Sequence, residues 1–191
     1  MSKKASFFLR VYQNNIKRVC SISLSIQMQC FCYETWTHGL INIFMLSLFL
    51  ILMIYLMNDL IQKINNLAHQ FYPQAVEIRR HLHQYPELSG QERQTANYIA
   101  EHLSKMGIKP TKMLDDTAVI AEIRGECGQA EQTIVLRADM DALPIEEKNN
   151  VEFVSKNKGV MHACGHDMHM ANLLSAAYVL NHIKDSFDGR V

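Results

Sequence analysis

From Asn58 onward, Leu60, Ile61, Ile64, Leu67, Ala68 and Phe71 recur at intervals of three and four residues, the spacing of one helix face. Val76, Ile78 and Leu82 carry the apolar contacts past Pro73, which predicts one helix that starts at Asn58-Asp59 and is kinked or restarted at the proline. Pro86 to Gly90 reads as a loop, and Ala96, Ile99, Ala100, Leu103 and Met106 mark a second helix closed by Gly107. Ala118 to Ile123 and Thr133 to Leu136 are short apolar runs joined through Gly125 to Gln129, which predicts two adjacent strands, the second deeply buried. The second run leads into Arg137-Ala-Asp-Met-Asp-Ala-Leu-Pro144, so two carboxylates fall where an interior strand ends, the usual ligand edge of open α/β sheets. A polar loop from Glu146 to Lys158 precedes a third helix with Leu173, Leu174, Ala177, Tyr178 and Leu180 on its apolar side. Helix, helix, strands, loop, helix is an α/β order, and no internal repeat interrupts it.

Upstream the texture differs. Leu40 to Met57 is a run of 18 residues without charge, interrupted only by Asn42 and Ser47, at the lower limit for spanning a bilayer. Two readings of residues 1–57 stand. As a genuine span, the run follows Lys3, Lys4, Arg10, Lys17 and Arg18, which places the N-terminus in the cytoplasm and anchors the globular part to the membrane. Alternatively Met57 is the natural start, the upstream stretch is a start-site artefact, and the protein is cytoplasmic. A cleavable signal peptide fits neither, because Tyr55 to Asp59 offers no small-residue cleavage site. The chain therefore divides into an N-terminal extension, 1–57, and a globular part, 58–191.

The 191 residues balance 19 Lys plus Arg against 19 Asp plus Glu, but the basic upstream segment leaves residues 58–191 acidic, and with no basic run there is no signal for nucleic acid. The five cysteines do not form a disulfide pattern: Cys20, Cys30 and Cys32 precede the globular part, Cys127 lies in a Gly-flanked turn, and Cys164 sits among histidines.

That last group carries the chemistry. His162-Ala-Cys-Gly-His-Asp-Met-His169 gathers one thiol, three imidazoles and a carboxylate where a helix begins. Cys164 and His166 are separated only by Gly165, which has no Cβ and permits the tight turn that aims both at one point. A thiolate beside a neutral imidazole suits Zn²⁺, and imidazole with carboxylate also admits Mn²⁺ or Co²⁺. Four other histidines, His38, His69, His102 and His182, lie on helical or unpatterned stretches and read as surface or packing residues.

Three segments together, Arg79-Arg-His-Leu-His-Gln-Tyr-Pro-Glu-Leu-Ser89, Leu136-Arg-Ala-Asp-Met-Asp-Ala-Leu-Pro144 and Gly159-Val-Met-His-Ala-Cys-Gly-His-Asp-Met-His169, resemble the M20 metallopeptidase family. The resemblance is to its amidohydrolase branch of N-acyl-amino-acid, hippurate and auxin-conjugate hydrolases. It implies the N-terminal part of a zinc-peptidase-like α/β catalytic domain, truncated before the lid domain through which such enzymes dimerise. It also implies one or two divalent cations in the complete site and hydrolysis of the amide bond of N-acyl amino acids or small peptides.

Carried over by position, Cys164 and His166 match metal ligands, and Asp139 matches the carboxylate that orients a ligand imidazole. His83, Asp141, Asp167 and His169 are candidates for the cleft; for the two aspartates a helix cap or solvated turn competes, and for His81 and His83 a packing or cleft-lining role stands against ligation. Arg137 reads as an ion-pair partner. Tyr85 stands where relatives carry another His, which weakens direct chemistry there. The resemblance assigns the general base to a Glu expected beyond Val191, so no catalytic residue is identified in this chain, and the chain by itself is expected to be inactive. The alternatives are a non-catalytic fragment, a membrane-tethered metal-binding module, or a structural metal closed by His162, His169 or Asp139.

Overall fold

The computed structural model describes residues 39–128 and 131–191. Cys20, Cys30, Cys32 and His38 lie outside the described residues. The chain forms two compact units, Met1–Ile54 and Tyr55–Val191.

Helix α1 runs over Gly39–Gln84 without restarting at Asn58, and Pro73 sits inside it. The proline removes one backbone donor, yet Phe71, Ile78 and Leu82 are all buried on one stripe across it, so packing on both sides of Pro73 holds the helix through the gap. In the first unit the described apolar side chains other than the half-buried Met53 are exposed, Ile51 to 63%. By length and composition α1 is the one helix among the described residues apolar enough to cross a membrane, and none of its apolar window is buried.

In the second unit α2, Arg93–Lys105, buries Ala96, Ile99, Ala100 and Leu103. It ends as the sequence predicts, on Gly107 in the left-handed region with φ 77°. Strands β1 (Pro110–Met113) and β2 (Ala118–Ala121) pair antiparallel with Pro110 opposite Ala121. The turn between them holds Leu114, Asp115 and Asp116 at positive φ.

The predicted strand pair is corrected here. The 118–123 run pairs with residues 110–113, and the 133–136 run makes only an isolated bridge, Thr133 with Arg190. Arg190 lies between the two runs, bridging Arg124 on one side and Thr133 on the other. The bonds are Ile123 N to Val191 O at 2.8 Å, Arg190 N to Gln132 O at 2.8 Å and Ile134 N to Arg190 O at 2.9 Å. With a ladder only a few residues long and no described layer over its outer face, Val135 is 81% exposed rather than buried.

Helix α3, His166–His182, buries Met170, Ala171 and Leu174, and a short 3₁₀ turn, Lys184–Ser186, follows it. These residues join Phe71, Ile78 and Leu82 of α1, Ile99 and Leu103 of α2, Ile108 and Ile123 in one core. Phe71 stacks on Tyr178 at 4.6 Å between ring centroids. Each such side chain contributes roughly 1.5–3 kcal/mol on burial, so α1, α2 and α3 hold one another through this cluster. Helices around a small sheet make the α/β class expected from the sequence.

Candidate metal centre

The three sequence motifs meet through backbone pairing. Ala142 N donates to Glu87 O at 2.7 Å, and Leu143 and Met161 exchange two bonds of 3.0 Å. The segment that carries Asp139 and Asp141 is thereby fixed between the Pro86–Gly90 loop and the segment that leads into Cys164. Gly165, the N-cap of α3, has φ 88° and no atom within 4 Å of where a Cβ would stand. Its requirement is therefore conformational: only the left-handed backbone turns Cys164 and His166 about one point.

His166 Nδ1 lies 2.9 Å from Asp141 O and 3.0 Å from Asp141 Oδ1. Both are acceptors, so Nδ1 carries the proton and Nε2 is left as the lone-pair donor, the tautomer of a metal ligand. Cys164 Sγ is exposed, with Asp141 O 3.9 Å away. The His169 ring is 5.9 Å from that of His166.

The carboxylate that meets His166 is thus Asp141. Asp139, to which the sequence pattern gives that role, accepts from Arg137 at 2.7 and 3.0 Å and is half exposed. The reason is local: Arg137 lies two residues away and forks onto the nearer carboxylate, its hydrogen bonds holding Asp139 below the usual carboxylate range. Arg137 is the ion-pair partner that the sequence suggests.

Behind this turn lie buried polar side chains. Asp167 is 1% exposed, so it is neither a solvated turn residue nor a helix cap. Its Oδ2 lies 2.7 Å from His83 Nδ1, and His83 Nε2 lies 3.0 Å from Glu147 Oε1. His83 packs inside the fold rather than lining an open cleft. Glu147 has no signal in the sequence, standing in a polar run with no periodicity, yet its side chain is 3% exposed. Burial alone would raise its carboxyl, but hydrogen bonds from His83, the Ser155 amide and Asn149 outweigh burial and lower it. His162 is buried with neither ring nitrogen partnered, and burial pushes its pKa down to about 4.

An exposed thiol and an imidazole with Nε2 free, set on either side of a left-handed glycine, fit a borderline-soft divalent cation. Cys164 and His166 supply two donors, and no group of three or more such residues converges among the described residues.

Comparison with known proteins agrees with this reading of the fold. Residues 135–191 match Peptidase family M20/M25/M40. The chain is 46% identical over 134 residues to thermostable carboxypeptidase 1 of Saccharolobus solfataricus, covering 70% of this chain and 34% of that protein. It is 43% identical to the N-acyl-L-amino acid amidohydrolase of Geobacillus stearothermophilus, covering 68% and 35%. A Bacillus subtilis structure described as a dinuclear metal binding peptidase from the M20 family superposes with a TM-score of 0.60 at 40% identity, over 64% of this chain and 34% of that one. The chain spans about a third of the length of the curated relatives it matches. Motifs, fold and these similarities lead to one conclusion: the chain belongs to the M20 peptidase family.

Proposed function

We propose that this chain carries the Cys164 and His166 ligands of a metal-dependent amidohydrolase acting on N-acyl amino acids or small peptides. The observation that carries the reading is the fixed tautomer of His166, with Nδ1 held by Asp141 and Nε2 left free one glycine away from an exposed thiol. A divalent cation, when bound, supplies the Lewis acidity that amide hydrolysis requires. The chain's own residues orient that site: Asp141 sets the imidazole proton, and Gly165 sets the angle between the two donors. The names of two relatives, thermostable carboxypeptidase 1 and N-acyl-L-amino acid amidohydrolase, support the substrate class.

The test joins residues 57–191 to the part of the Geobacillus enzyme that they do not match. Metal-dependent hydrolysis of N-acetyl or N-benzoyl amino acids is expected, and Cys164→Ala or His166→Ala should remove both activity and metal. A folded Cys164→Ala chimera that kept its metal and full activity would show that the ligand assignment is wrong.

A further inference from the structure

Arg79 and His83, one turn apart on α1, both reach Asp167 in the first turn of α3. Arg79 Nε lies 3.0 Å from Asp167 Oδ2, without its N–H directed at that oxygen, so this contact is ionic rather than a hydrogen bond. His83 Nδ1 approaches the same oxygen to 2.7 Å. On its other side His83 Nε2 faces Glu147 at 3.0 Å, and the side chains of His83, Asp167 and Glu147 are 5%, 1% and 3% exposed. Both ring nitrogens of His83 thus lie within hydrogen-bond distance of a carboxylate oxygen, and Arg79 Nη2 lies 3.5 Å from His83 Nδ1. Arg79, 30% exposed, closes a set whose other three side chains are buried, and removing one of those leaves its partners without a contact inside the fold.

The set joins three parts of the chain. Glu147 belongs to the segment that folds over the end of α1, where Phe153 lies 4.8 Å from the Arg79 guanidinium carbon and Lys156 N donates to Gln84 O at 2.8 Å. Asp167 directly follows His166. Resting on the ligand reading above, we propose that His83 is a positioning residue for the metal turn. Held between Asp167 and Glu147, its ring locks the turn at Gly165 to the 147–156 segment, so that the two tighten or loosen together.

The full chain provides two independent readouts. Without metal, hydrogen exchange of the Met168 and His169 amides, which bond Gly165 O at 3.1 and 3.2 Å, reports the turn directly. Glu147→Gln offers one oxygen where His83, Ser155 and Asn149 now share two, so exchange at these distant amides should accelerate, while His182→Ala leaves it unchanged. With Co²⁺ alone, the thiolate-to-cobalt absorption band reports the donors. His83→Gln and Glu147→Gln should each raise its midpoint about 10- to 100-fold, and the double variant should be no weaker than the weaker single, because both break one connection. Unchanged exchange and unchanged midpoints in variants with native circular dichroism overturn the proposal, and Glu147→Gln, nearly isosteric, carries the test if His83→Gln fails to fold. Absence of the cobalt band in the unaltered chain sinks the ligand reading instead, and the exchange data still decide whether His83 couples the two segments.

Discussion

Asp139 and Asp141 stand two residues apart and meet opposite partners: Asp139 faces a guanidinium, while Asp141 faces the candidate ligand His166. The two are therefore separable by mutation. Asp141→Ala should weaken Zn²⁺ or Co²⁺ binding roughly 10- to 100-fold, as loss of a ligand-orienting carboxylate does, whereas Asp139→Ala should change it less than about twofold. Competition with a chromogenic chelator measures both, and the reverse ranking would return the orienting role to Asp139. The site was legible where chemistry and local geometry coincide in sequence, at Cys164-Gly-His166. It was not legible at Glu147 or in the contact of His83 with Asp167, because those residues acquire partners only when α1 returns against segments 64 and 84 positions away.

Among the elements, the bridges around Arg190 depend on close backbone approach. A Cβ on Gly125 would stand 2.3 Å from Phe187 O, and one on Gly189, at φ 85°, would stand 2.6 Å from Gln132 O. Both obstacles are backbone atoms that no rotamer change can clear. Gly125→Ala and Gly189→Ala should each destabilise the fold by about 1–3 kcal/mol, read as a lower urea midpoint; an unchanged midpoint would mean that these bridges do not contribute. The helices followed from their apolar spacing, but strand pairing did not, because two short apolar runs carry no information about the Arg190 segment that comes between them. Membrane partition separates the two readings of the apolar run. A genuine span keeps the full chain in the membrane fraction after alkaline carbonate, while a chain starting at Met57 is released; recovery of the full chain as soluble monomer excludes the anchor.

For the folded unit as a whole, burial and pH are linked. Ile78 is 1% exposed at the centre of the three-helix core, and Ile78→Ala should cost about 2–5 kcal/mol in chemical denaturation. Burial lowers the pKa of His81 and His102 and takes His162 to about 4. Each of these rings takes a proton more readily once unfolded, and for His162 the unfolded state binds more protons between about pH 6.5 and 4. The stability linked to the neutral His162 ring is complete above the unfolded value and is lost as pH falls through that window. For His162 alone the loss is about 3 kcal/mol. Urea titrations at pH 7 and pH 5 should show the decline, and His162→Phe should reduce it; equal stability at both values would mean that His162 is not buried as a neutral ring.

Whether Cys164 and His166 together hold a divalent cation is decided by zinc-edge X-ray absorption on the metal-loaded chain. Zn²⁺ held by the pair should show one sulfur scatterer at about 2.3 Å with nitrogen or oxygen at about 2.0–2.1 Å, and the sulfur shell should be lost in Cys164→Ala. A spectrum without sulfur, or one unchanged by Cys164→Ala, would contradict that ligation.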